Sequence, residues 1–231
     1  MTSTDLLALS AARRWDIYGP VHKGLRRAHG AMAARLGSAD YAADLRPLLA
    51  DLRAHLEIAG QHLAHEEDHI HAALAARAPD AVATLQDQHE HHRARFAALQ
   101  AAIARVEHGA AADRPGLGRV LYLEFSAFVA EDLLHMLHEE TTTWPLLCAL
   151  FSDEELMTIE QAIVASLSPD ETIATMRMML PAMNPEERTG LLTGMKAGAP
   201  PQAYAAVIEH AARPTLPRAE FAELERLGLA A

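Results

Sequence analysis

Cysteine is almost absent from this chain of 231 residues: Cys148 stands alone, which excludes an intramolecular disulfide and fits a reducing compartment. Basic runs are missing too. With a net charge of −11 and no cluster of lysines and arginines, a phosphate-binding surface is disfavoured and nucleic acid is not an expected partner. No apolar run reaches the roughly 18 residues that a membrane span needs. The opening stretch MTSTDLLALSAARRW lacks the basic start of a signal peptide. The expectation is a soluble, cytoplasmic protein with no membrane partner. Strict two-residue alternation bounded by turns is also lacking, so strands are not expected.

What the chain does have is a 50% hydrophobic composition, enough for a packed core, with apolar residues spaced three and four apart. The spacing predicts a first helix from Pro20 to Leu36, with residues 4–16 as a separate turn or a helix kinked at Pro20. A second helix is expected over 45–76, a third over 80–108, and a fourth over 118–143, ending near Pro145. The fold class is therefore all-α: an up-down-up-down four-helix bundle over residues 1–148, followed by a C-terminal appendage of short helices over 149–231. Five short helices are expected there, three of them starting at Ser152-Asp-Glu-Glu155, Ser168-Pro-Asp-Glu171 and Asn184-Pro-Glu-Glu187, and two at Pro201 and Pro217. This appendage offers a cap on the bundle or a homodimer surface.

Histidine is the informative residue. Of the 14, all but His210 fall within the first 150 residues. HLAHEE occupies 62–67 and HMLHEE occupies 135–140. Residues four apart on a helix differ by about 40° and about 6 Å, so His62 with Glu66, and His135 with Glu139, can each reach one point. Both pairs replace leucines on inner stripes. Counted from the turns, His22, His62, His92 and His135 share one level to within about a helical turn, and His89 sits near the level of the carboxylates. Ionisable groups facing a core are costly unless paired or bound to metal. Two carboxylates and four or five imidazoles exceed one tetrahedral ion and suit two higher-coordinate ions bridged by the carboxylates. The nitrogen-rich set favours iron, two per chain, with manganese or zinc as alternatives. Whether His89 or His92 supplies the third helix's ligand stays open.

Taken together, VHKGLR, HLAHEE, QHEHH and HMLHEETTTWPLL, in order on four expected helices, resemble the hemerythrin-like proteins of the HHE cation-binding family over residues 15–147. The resemblance implies a non-haem di-iron site with His22, His62, Glu66, His135, Glu139 and a third-helix histidine as ligands. It also implies a small diatomic or peroxide partner: binding or sensing oxygen, or handling peroxide or nitric oxide. Oxygen carriers of that family space two third-helix histidines four apart, whereas His89 and His92 are three apart. The alternative function is a metal-stabilised interaction module.

Other residues are expected in plainer roles. His65 and His138 lie off the ligand stripes, His69, His71 and His91 are expected in solvent, and Glu67 and Glu140 facing water. His29 and His55 fall on the inner stripes one heptad from His22 and His62. They are read as core histidines sharing a hydrogen bond, with a proton relay or second cation position as the sharper alternative. Tyr18 is read as packing at the bundle's end. Cys148 is structural.

Overall fold

Proline opens most of the helices, because its missing N–H falls where a first turn has no partner for one. In the computed structural model, which describes residues 7–8 and 12–230, every regular element among the described residues is helical and none is a strand. Helix α1 runs Gly19–Gly37. Helix α2, Arg46–His65, carries Pro47 in its first turn and continues without a break through a π segment, Glu66–His71, into Ala72–Arg77. A single tight turn, Pro79–Ala81, leads into α3, Val82–His108.

Helix α4, Arg114–His138, begins four residues before the expected start and does not stop at Pro145. It passes through a second π segment, Glu139–Thr143, and on through Trp144–Leu150. The reason is local. A proline inside an α-helix loses one hydrogen bond and presses its ring on the carbonyl four residues back. Here the N–H of Trp144 reaches back five residues to the Glu139 carbonyl, and the widened turn admits Pro145 without ending the helix.

The C-terminal helices follow their start signals. They are α5 (Asp153–Ser166), α6 (Pro169–Met179), α7 (Pro185–Gly198), α8 (Pro201–Val207) and α9 (Arg218–Arg226). Ser168 and Asn184 each close a reciprocal capping box, with Glu171 and Glu187. Ser152 and Glu155 make the same pair of bonds, at 3.3 and 2.9 Å. The segment expected over 4–16 falls partly outside the described residues.

The chain forms two compact units. One holds the described residues of Met1–Ile17 and Ala28–Ala162, the other those of Tyr18–Arg27 and Ile163–Ala231. The boundary thus falls later than the expected residue 148, and the first half of α1 groups with the C-terminal helices. In the first unit, α3 packs along α4 and α2 packs on α3. Leu52, Leu85, Leu99, Ile103, Leu121, Phe125 and Phe128 are fully buried between them. At Gly118 a Cβ would lie 2.2 Å from Cδ1 of Tyr41, so only glycine lets that ring close over α4.

The second unit is tied by polar anchors. The buried Arg188 guanidinium donates to the carbonyls of Leu180 and Met183, both at 2.9 Å, and pairs with Glu220 on α9. Lys23 pairs with Glu187. Among the described residues, no helix is long and apolar enough to cross a membrane.

Candidate metal centre

The echoed motifs supply the carboxylates. Glu66 and Glu139 are the first residues of the π segments that continue α2 and α4, and they are 1% and 0% exposed. Two carboxylates buried so deeply are costly without a counter-charge. His89 of α3 and His135 of α4 meet them. One donor atom from each of Glu66, His89, His135 and Glu139 lies within 4.8 Å of all the others, so this buried group could hold a metal ion.

The orientation of the two imidazoles points the same way. Nδ1 of His89 lies 3.0 Å from Oε1 of Glu67, and Nδ1 of His135 lies 2.9 Å from Oε1 of Gln88. A carboxylate oxygen and an amide oxygen only accept, so each Nδ1 carries the hydrogen. Each Nε2 then points its lone pair inward, and the two Nε2 atoms face each other at 3.1 Å. Two lone pairs at that distance need a proton or a cation between them. Outer partners that fix the tautomer of a ligating histidine are the usual support of a metal site.

The electrostatics agree. Burial, only partly offset by Glu66, pushes His89 down to about 4, so its ring is neutral and free to donate a lone pair. Burial also pulls on His135, but contact with Glu66 and the charges of Glu139 and Asp132 outweigh it and raise it above the ordinary histidine value. A cation is therefore favoured at His135.

Glu66 faces histidines from both of its oxygens. Oε1 lies 3.0 Å from Nε2 of His62, while Oε2 lies 3.5 Å from Nε2 of His89 and 3.9 Å from that of His135. His62 thus sits on the opposite edge of the carboxylate from His89. His92 is buried beside the group, its ring 4.9 Å from that of His135, and its Nε2 lies 3.8 Å from Oδ1 of Asp132. It is His89, not His92, that falls within the four-donor group. His22 is buried in the second unit, where its ring stacks on Tyr18 at 5.2 Å.

Two sequence expectations change here. His71, expected in solvent, is buried with its ring 4.7 Å from that of His89. A π turn closes over five residues, so Glu66 and His71 share a face that regular 3.6-residue counting separates. Glu67, expected to face water, is half-buried and accepts from both His89 and Arg93 at Oε1. Tyr18, expected to pack, is wholly buried. His91 is exposed, as expected, and pairs with Glu131 at 3.0 Å.

Beneath the group lies a second buried polar chain. Nε2 of His29 donates to Oδ2 of Asp132 at 2.7 Å, and Nδ1 of His29 lies 2.8 Å from Nε2 of His55. The shared hydrogen bond read from the sequence is present. The partner missed there is Asp132, a buried carboxylate one turn before His135 on the inner stripe of α4.

No protein-family model, no curated protein and no solved structure matches the chain.

Proposed function

We propose that this chain is a non-haem di-iron protein that binds or senses oxygen, or handles peroxide or nitric oxide, on an up-down-up-down four-helix bundle of hemerythrin-like type. The observation that carries the reading is Glu66, whose two oxygens face different histidines, His62 on one side and His89 with His135 on the other. That is how a carboxylate shared between two ions is placed. His89 and His135 would each give an Nε2 lone pair, fixed by Glu67 and Gln88, and Glu139 would supply the second carboxylate. His22 was expected as a ligand from its sequence position, and the four-donor group stands without it.

The donor set fits iron, with manganese or zinc as the competing ions. Bound iron would supply a reducible Lewis-acid centre for a small ligand. The chain's own residues orient the donors, keep His89 unprotonated and exclude bulk water. Imidazole-rich sites carry less negative charge than carboxylate-rich ones and stabilise high oxidation states less. This favours binding, sensing or peroxide and nitric oxide handling over oxidation of C–H bonds.

Protein purified without chelator should carry two irons per chain and a charge-transfer band in air. One zinc, or no metal and no band, would refute the redox reading.

A second reading, the metal-stabilised interaction module, draws on one observation. Val120, Leu123, Leu134 and Leu137 are exposed along one face of α4, whereas only Val164 and Leu227 are large exposed hydrophobics in the C-terminal region among the described residues. In that reading a second copy or partner meets α4 rather than the C-terminal helices, and chelation unfolds the first unit.

A further inference from the structure

The first π turn turns one imidazole inward that the four-donor group does not use. His71 is 3% exposed, and neither of its ring nitrogens has a hydrogen-bond partner. A buried imidazole in that state has given up the hydration of one N–H and one lone pair. Native interiors seldom leave such groups unsatisfied without a reason. Leucine or phenylalanine would fill the position without that cost, so packing alone does not explain a histidine there.

Its neighbours indicate what it faces. The ring is tilted 41° against that of His89, with centroids 4.7 Å apart. An imidazole in any protonation state offers at least one N–H as a directed donor. His71 is not among the four residues whose donor atoms lie within 4.8 Å of one another. The Arg93 guanidinium is engaged with Glu67, and Glu67 is engaged with His89. His71 thus offers the group a free directed donor.

We propose that His71 is a positioning residue of the centre, donating its N–H to a compact anion bound on the metal beside His89. Ligands of this class are small, carry lone pairs on a terminal atom, and fit a closed site: azide, nitrite or a peroxide anion. The inference rests on the reading of the group as a metal centre. It adds a residue that holds the exogenous ligand rather than the ion.

The test uses the full chain loaded with iron and titrated with azide, followed by the charge-transfer absorption, for wild type, His71→Leu, His71→Phe and His71→Gln. The apolar variants should load the same iron and bind azide roughly tenfold more weakly or worse, the loss expected for a hydrogen bond to a charged group. His71→Gln, which keeps an N–H, should stay close to wild type. Without metal, the apolar variants should melt above wild type, since they bury no unpaired ring nitrogen. Either apolar variant decides the matter if the other fails to fold. Unchanged azide affinity at full iron content would reduce His71 to packing and overturn the proposal. Loss of iron from the apolar variants would make His71 a ligand of the ion and overturn it equally. Wild type that takes up no metal would remove the centre and the inference together.

Discussion

The chain Asp132–His29–His55 makes a quantitative prediction about acid stability. Burial, reinforced by the neighbouring His29 ring and only partly offset by Asp132, pushes His55 from an ordinary 6.5 down to about 3. An unfolded His55 takes up a proton well above the pH at which the folded one does. A basic group depressed in this way leaves stability untouched above its unfolded value and lowers it as the pH falls, until the folded value is reached. Each pH unit below 6.5 costs about 1.4 kcal/mol, so going from about pH 7 to about pH 5 should remove ~2 kcal/mol through this side chain alone. The perturbation is His55→Gln, whose amide nitrogen can take the place of Nε2, 2.8 Å from Nδ1 of His29, and does not titrate. Urea unfolding of metal-free wild type and variant at the two pH values gives the comparison, and other titrating groups cancel in the difference. The variant should lose ~2 kcal/mol less than wild type on acidification. Equal losses would show that His55 is not held neutral by its surroundings, and the reasoning fails.

Three further outcomes follow from the geometry. Gln88→Leu removes the acceptor that fixes the His135 tautomer at 2.9 Å, and should weaken metal binding about 10- to 100-fold in a chelator competition, with the fold retained. Gly118→Ala drives a methyl into the Tyr41 ring and should destabilise by about 1–3 kcal/mol in denaturant unfolding, with Tyr41→Ala in the same chain recovering part of the loss. Ser168→Ala opens the capping box of α6 and should cost about 1 kcal/mol, readable as a lowered melting temperature.

Much of this was legible in the sequence, because α-helical periodicity is a strong signal where apolar residues repeat without interruption. Leu85, Leu99, Ile103 and Val106 mark the inner stripe of α3, and all four are buried. Glu66, His135 and Glu139 interrupt such stripes, and the same counting that located the core placed them inside it. Counting failed where the helix itself changes pitch. Nothing in EEDHIH distinguishes a π turn from an α turn, so His71 was assigned to solvent and Glu67 to the surface. In α4 the downstream Pro145 did carry a signal, but it reads equally as a helix end. The choice between His89 and His92 was beyond sequence for another reason. Three residues on a helix separate them by less than the error in a helix boundary, and only the position of Glu67 on the neighbouring helix favours His89.

The π segment at Glu66–His71 also has a genetic reading. A wide turn inside an otherwise regular helix is what one surplus residue becomes when the ends cannot shift. Removing a single codon, for instance that of the exposed Asp68, would bring His71 to four residues after Glu66. Residues four apart in regular winding share a face, so the carboxylate and the imidazole would stay together inside while the π turn disappeared. Relatives differing here by a one-residue gap would share both side chains. An aligned gap in this helix would then mark a change of pitch within the lineage, and only substitution at these two positions would alter what its centre accepts.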